Sequence, residues 1–127
     1  MSENYRGILL SISQRDRSIF SSLHVIGKKR AFLGIVTLYK VDVEPALLDR
    51  TIERLQGNML DRWLHIRGFY CHFYRGEELV VVFKERIFKA NACDKSTWAE
   101  ILEYGKSIHI PEAQLDFLPC KIDDETY

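Results

Sequence analysis

Two long apolar and aromatic runs, joined by a short turn that contains glycine, dominate the middle of this chain of 127 residues. The first run extends from Trp63 to Tyr74 and the second from Leu79 to Phe88, with the sequence Arg-Gly-Glu-Glu between them. Runs of β-branched and aromatic residues on both sides of such a turn predict a β-hairpin. Both faces of this hairpin carry apolar or aromatic side chains, so the fold has to cover both of them.

Segments on both sides of the hairpin predict two helices and two further strands. Residues 32–43 form an apolar run of the kind found in central strands. Leucine, isoleucine and methionine recur at helical spacing over and just beyond residues 46–56, which predicts a helix there. The segment from Asp94 begins a second helix, in which Thr97 and Glu100 have the spacing of a capping box and Asp94 or Ser96 is the alternative cap. Residues 116–122 are typical of a final edge strand, since their proline is tolerated only at an edge.

From residue 31 onward, the predicted order is strand, helix, strand, strand, helix, strand. This is the order of a ferredoxin-like βαββαβ sandwich, an α+β fold in which two helices cover one face of an antiparallel sheet. The predicted domain is 31–122, with an N-terminal helical extension over 1–30 and an acidic, frayed tail over 123–127. Because both helices lie on one face in this fold, the other face needs a different cover.

The N-terminal extension is the segment whose secondary structure the sequence leaves most open. Apolar residues fall at steps of three and four through residues 4–27, which favours an amphipathic helix. Gly27 and the three cations that follow it would form the end of this helix, where positive charge suits the helix dipole. The run from Ile8 to Ser13 fits a strand as well, so a strand followed by a helix is the alternative.

Charge is balanced over the whole chain but is placed unevenly along it. Lysine plus arginine equals aspartate plus glutamate, and the isoelectric point is near 6.9. Residues 1–31 carry a net charge of +4, and residues 111–127 carry −4. A dedicated nucleic-acid binder usually has a basic excess, so the overall balance argues against that class. The uneven ends are typical of a polar N-terminal element and a solvated acidic tail.

The cysteines and the hydrophobic pattern predict a cytoplasmic protein. Three cysteines at widely separated positions are typical of buried or idle thiols in a reducing compartment: Cys71, Cys93 and Cys120. No window approaches the roughly 18 uninterrupted apolar residues of a membrane span. The N-terminus also lacks the basic start and apolar core of a signal peptide. We therefore expect a small cytoplasmic protein that does not associate with a membrane.

One face of the hairpin carries more apolar surface than a soluble monomer usually exposes. With the turn centred on Gly76-Glu77, that face holds Tyr70, His72, Tyr74, Leu79, Val81 and Phe83. The opposite face then holds cross-strand pairs, namely Phe73 with Val80, Cys71 with Val82 and Phe69 with Lys84. The N-terminal helix, a second copy of the chain or a ligand could cover the first face. The sequence therefore leaves three alternatives, which are a face covered within the chain, a homodimer and a ligand-binding site.

Part of the first hairpin strand matches an RNA-binding signature, Lys/Arg-Gly-Phe/Tyr-Gly/Ala-Phe-Val-x-Phe/Tyr. The positions that agree are Arg67, Gly68, Phe69 and Tyr74. Residues 70–72 do not agree, because the signature has small, aromatic and aliphatic residues there. The segment is also the second strand of the predicted order, whereas the signature belongs to the third strand of RNA-recognition domains. A packed aromatic strand explains the segment more simply, with RNA as an alternative ligand.

The sequence shows no group of residues with the spacing of a metal site or a catalytic centre. His24 and His109 have no second ligand at metal spacing. Cys71 and His72 are adjacent in a predicted strand and so point opposite ways, which favours Cys71 as a small core residue over a nucleophile. No pair of carboxylates has a spacing typical of acid–base catalysis. We therefore predict no catalytic residue, no metal and no cofactor.

These observations favour a small interaction or regulatory module without catalytic activity, which self-associates as a homodimer through its sheet. One alternative is a binding protein for a small anionic ligand or RNA. A second alternative is an enzyme whose site lies at a dimer interface and uses Arg67, Tyr70 and His72. The candidate ligand-binding residues are Lys28, Lys29, Arg30, His65, Arg67, Tyr70 and His72.

Overall fold

Six antiparallel strands form the main sheet of the protein, in the order β2-β3-β1-β6-β7-β8. The computed structural model describes residues 4–31, 36–63, 66–110 and Leu115. The strands of the main sheet are β1 (Tyr5–Leu10), β2 (His24–Ala31), β3 (Val36–Val43), β6 (Tyr70–Arg75), β7 (Glu78–Phe83) and β8 (Ile87–Asn91). A separate two-stranded ribbon consists of β4 (Arg62–Trp63) and β5 (Ile66–Arg67). The helices are α1 (Leu48–Gly57) and α2 (Ala99–Ser107), with short 3-10 turns at Ser11–Ser13, Arg17–Ser22, Pro45–Leu47 and Lys95–Trp98. The predicted α+β class is confirmed.

The predicted hairpin is present, with the predicted register through β6 and β7. Phe73 lies opposite Val80, and Tyr70 lies opposite Phe83. Gly76 and Glu77 form the two-residue turn, in which Gly76 has a φ of +58°. A glycine with positive φ at the first turn position suits the type II′ turn, whose twist matches that of the paired strands. The predicted pair of Phe69 with Lys84 lies beyond the paired residues of these two strands.

The N-terminal segment is not the predicted helix. Residues 5–10 form β1, which lies between β3 and β6 and pairs with both. Burial alternates along β1, as expected for a strand. Two 3-10 turns follow, and the three cations expected to end a helix lie instead in β2. The spacing of three and four residues was misleading because a strand followed by 3-10 turns places apolar residues at similar intervals.

The two helices lie on opposite faces of the sheet, which differs from the predicted ferredoxin-like arrangement. Val80 and Val82 belong to the core that includes Leu55 of α1. Val81 and its neighbours on the other face of β7 pack in a second core with Ile101 of α2. Successive strand residues point to opposite faces, so a single strand, β7, contributes to both cores.

The strand order also differs from a ferredoxin-like sheet, since β3 pairs with β1 and β2 and not with the hairpin. Strands β1 and β2 are thus part of the same sheet as β3 and β6–β8. The predicted final strand over 116–122 and the tail over 123–127 lie outside the described residues.

Candidate functional site

A cleft of about 470 Å³ lies between the β4–β5 ribbon, the turn after β7 and the end of α2. Its walls are mixed in character, with apolar side chains beside several charged ones. The lining residues are Leu60, Asp61, Arg62, Arg67, Gly68, Phe69, Lys84, Glu85, Tyr104, Ser107, Ile108 and His109. The cleft is therefore lined both by residues that follow α1 and by residues at the end of α2.

Two arginines lie directly opposite each other on the ribbon that forms one wall. Arg62 of β4 and Arg67 of β5 are cross-strand partners, and both are exposed. Side chains opposed in this way share one face, with Cβ atoms roughly 4.5–5.5 Å apart, and like charges there repel. Within the described part of the chain, the structure shows no ion pair for either guanidinium. Two positive charges are thus held side by side at the edge of the cleft.

The ribbon is fixed to the end of α2 through a glycine. The Gly68 N–H donates to the Asp61 carbonyl oxygen at 2.9 Å, which extends the ribbon by one hydrogen bond. Gly68 has a φ of +81°, and a Cβ atom there would lie 2.5 Å from the carbonyl oxygen of Ile108. Any other residue would be strained by the positive φ and would clash with Ile108, so this position requires glycine. Gly68 lies between the end of β5 and the start of β6.

His109 also lines the cleft, and its backbone has an unusual conformation. Its φ is +75°, in the left-handed region that favours glycine. The His109 N–H donates to the Lys106 carbonyl oxygen at 3.0 Å, and the Ile110 N–H donates to the Gly105 carbonyl oxygen at 3.0 Å. These two bonds are the Schellman motif that ends α2. An exposed imidazole therefore stands at the cleft in a position where glycine would be less strained.

A lysine and an aspartate that line the cleft lie close enough to offset each other's charge. The Lys84 ammonium donates to the Met59 carbonyl oxygen at 2.5 Å and lies 3.8 Å from an Asp61 carboxylate oxygen. Nearby, the Gln56 amide donates to the Phe83 carbonyl oxygen at 2.8 Å, which ties α1 to the end of β7. Apart from Lys84 and Asp61, the charged side chains that line the cleft are the two arginines and one carboxylate, that of the exposed Glu85. The charged side chains that line the cleft therefore carry a net positive charge.

The structure separates the residues predicted to form a binding site into three groups. Arg67 lines the cleft. Lys28, Lys29 and Arg30 are exposed on β2, at the far edge of the sheet, and His65 lies outside the described residues. Tyr70 and His72 pack on the sheet face as part of an aromatic ladder, in which their ring centroids are 6.2 Å apart. They do not line the cleft.

Lys40 is a buried charged residue that is not among the binding residues predicted from the sequence. Lys40 is 2% exposed, and His72 is 4% exposed. Both are cross-strand neighbours of Ile8, one on each side of β1, so they share a face of the sheet. The signal was present in the sequence, since a lone lysine interrupts the apolar run of β3.

The other charged residues of the cleft gave little local signal. Arg62 and Lys84 stand near turns, where charged residues are common and carry no particular meaning. His109 follows the end of a helix whose Schellman motif becomes visible only in the structure. Only the fold brings these three residues together.

The described residues do not form a nucleophilic or metal centre. Burial raises the pKa of the Cys71 thiol to about 12, so it is not a thiolate near neutral pH. The Ser107 hydroxyl donates to the Tyr104 carbonyl oxygen at 2.6 Å, as a helical serine commonly does. Among the described residues, no three histidine, cysteine, aspartate or glutamate side chains are grouped so as to hold a metal ion.

Comparisons with known proteins give no family for this chain. No protein-family model, curated protein or solved structure that was compared with it matches. Within the described residues, no helix combines the length and the apolarity needed to cross a bilayer. The geometry of the cleft is therefore the basis for assigning a function to the protein.

Proposed function

We propose that the protein binds a small anionic ligand, carrying phosphate or carboxylate groups, in the cleft between the ribbon and α2. The observation that carries the proposal is the cross-strand pair of Arg62 and Arg67. Their repulsion costs stability in the free protein, and an anion between them would convert it into attraction. Guanidinium groups bind phosphate and carboxylate through two parallel hydrogen bonds, which suits them to this role.

The size and lining of the cleft support a small molecule as the ligand. A volume of about 470 Å³ lies within the range of roughly 300–1,000 Å³ typical of small-molecule sites. Phe69, Tyr104 and Ile108 supply apolar surface to the cleft, and His109 lines the same cleft as the two arginines. The zero net charge of the chain does not favour a long nucleic acid.

Inorganic pyrophosphate is a suitable probe, with urea unfolding as the measurement. Without the probe, Arg67→Gln should raise the free energy of unfolding by about 0.2–1 kcal/mol, because a like-charge pair is removed. With pyrophosphate, the wild-type protein should gain stability, by about 2.7 kcal/mol at 100 times the Kd. The double variant Arg62→Gln/Arg67→Gln should lose this gain.

A matched control separates binding from the general effect of salts, since phosphate-type anions stabilise many proteins. Arg50 is an exposed arginine on α1, and Arg50→Gln should respond to pyrophosphate like the wild-type protein. The proposal is wrong if the double variant and the wild-type protein gain the same stability at every concentration.

The other predicted roles stay predictions. Self-association was expected because a second apolar face needed cover, and α2 supplies that cover at β7 and β8. A homodimer, a regulatory role and a cytoplasmic location are therefore secondary to ligand binding in this proposal. The enzyme alternative has less support, since Tyr70 and His72 pack within the sheet and not beside Arg67.

A further inference from the structure

Among the described residues, strand β2 forms one edge of the main sheet, and this edge is basic. It has eight residues, and among the described residues it pairs only with β3. Residues 28–30 are all exposed, so their cations stand in solvent along this edge. An edge strand carries unpaired N–H and C=O groups that can pair with another strand.

The three cations lie on both faces of the sheet at this edge. Lys28 and Arg30 are opposite Tyr39 and Thr37 of β3, whereas Lys29 points to the other face. The Lys28 ammonium is 5.7 Å from the centre of the Tyr39 ring. Any strand that paired with β2 would therefore meet positive charge on each of its faces.

The opposite edge of the sheet is different, because β8 is partly covered at its end. The Asn91 N–H donates to the Thr97 hydroxyl oxygen at 3.0 Å, and the Trp98 indole N–H donates to the Asn91 carbonyl oxygen at 2.8 Å. These bonds use the backbone groups of the last residue of β8. Strand β2 has a bulge at Ile26, whose side chain is 41% exposed and offers an apolar contact.

We propose that β2 binds an acidic, extended peptide segment of a partner protein as an added antiparallel strand. Backbone hydrogen bonds would supply the pairing, as in other cases of strand addition. The charge decides the partner: a second copy of β2 would place lysines and arginine opposite each other, which is unfavourable, whereas glutamate or aspartate would face them favourably. This inference is independent of the cleft, which lies at the other end of the strand order.

The test uses the full chain and a blocked eight-residue peptide that alternates glutamate and valine, matched in length to β2. Hydrogen exchange of the amides of residues 28–30 should slow when the peptide is added. Fluorescence anisotropy should show binding that weakens roughly tenfold or more in Lys28→Glu/Arg30→Glu, because charge complementarity is reversed. Lys89→Glu, an exposed lysine on β8, is the matched control and should leave the affinity unchanged.

Two further peptides decide whether the binding is strand addition to a basic edge. The same peptide with N-methylated amides keeps its charge but cannot pair, and it should not bind. A peptide of alternating lysine and valine should also fail to bind. Equal binding of either peptide, no binding of the acidic peptide, or equal loss in Lys89→Glu would overturn the proposal. The exchange measurement on the wild-type protein needs no variant, so it stands even if the double variant does not fold.

Discussion

Gly7 and Phe73 face each other across β1 and β6, and the Phe73 ring lies directly against the glycine. A Cβ atom on Gly7 would come within 2.5 Å of Phe73 Cε1 and within 3.2 Å of Val41 Cγ2. Phe73 is fully buried, so its ring has no free space to enter. Gly7→Ala should therefore lower the free energy of unfolding in urea by about 1–3 kcal/mol, as overpacking of a core does.

A second glycine provides the control for Gly7→Ala. Gly57 is the last residue of α1, and a Cβ atom there would meet nothing within 4 Å. Gly57→Ala should leave stability unchanged or raise it by up to about 1 kcal/mol, since alanine is the better helix former. If both variants unfold at the same urea concentration as the wild-type protein, the close contact between Gly7 and Phe73 does not exist in solution.

Leu55 and Trp98 anchor the two cores on opposite faces of the sheet. Leu55 of α1 is fully buried, and Trp98, just before α2, is 2% exposed. Replacing either residue with alanine should cost roughly 3–5 kcal/mol of unfolding free energy, through lost burial and the cavity left behind. Leu47→Ala is the control, because this side chain is 46% exposed, and it should change stability by less than about 0.5 kcal/mol. A negligible effect at Leu55 or Trp98 would contradict the two-core packing.

The hairpin could be predicted from the sequence because its determinants are local. The turn residues and the alternation of side chains lie within a few positions of one another, and they set the register of β6 against β7. The stripe of α1 is local in the same way. Leu48, Ile52 and Leu55 fall on one face by helical spacing, and all three are buried.

The arrangement of these elements could not be predicted, because it depends on contacts between distant residues. Strand β1 pairs with residues 28–38 positions away in β3 and 64–68 positions away in β6. Its short apolar run fits a helix or a strand. Element order alone also does not state which face α2 covers. The sequence identified Arg67 as a ligand-binding candidate, but only the pairing of β4 with β5 brings Arg62 beside it.

Glu78 should contribute stability that is lost in acid. Its carboxylate accepts a hydrogen bond from Arg75 Nε at 2.7 Å and from the Tyr5 hydroxyl at 3.3 Å. The Arg75 hydrogen bond, first among several causes, holds the pKa of Glu78 below its usual value of 4.5. The unfolded chain therefore binds this proton more readily, and the contribution is present above about pH 4.5 and disappears as the pH falls through the lower folded pKa.

Urea unfolding at about pH 7 and about pH 3 measures this contribution. Glu78→Gln should narrow the difference in stability between the two pH values by at most about 1 kcal/mol, because the carboxylate is half exposed. Glu77→Gln, in the adjacent turn, is the control and should leave the difference as it is in the wild-type protein. An unchanged difference in Glu78→Gln would show that the Arg75 contact does not persist in solution.

Cys71 should be chemically inert until the protein unfolds. Burial raises the pKa of its thiol to about 12, and the thiolate is the reactive form. Cys93 is exposed, so iodoacetamide should modify Cys93 before Cys71, as read by mass spectrometry of peptides. Modification of Cys71 should follow the urea unfolding transition. Rapid modification of Cys71 in the absence of urea would contradict its place in the core and would revive a nucleophilic role.

The left-handed backbone of His109 gives a prediction that links stability to the cleft. An L-residue in this conformation is strained, whereas glycine is not. His109→Gly should therefore raise the free energy of unfolding by about 0.5–1 kcal/mol relative to His109→Ala, since the two variants differ only by a Cβ atom at a φ of +75°. Equal stabilities would mean that the Schellman motif relaxes in solution.

The same two variants test whether the imidazole takes part in ligand binding. Both variants remove the imidazole of a residue that lines the cleft together with Arg62 and Arg67, while only His109→Gly relieves the backbone strain. If the imidazole contacts the ligand, pyrophosphate should bind more weakly to both variants and by the same factor, although His109→Gly is the more stable of the two. A loss of affinity in only one variant would instead assign the effect to the backbone at the end of α2. Strain kept at a site where glycine would fold better is then explained by what the side chain binds.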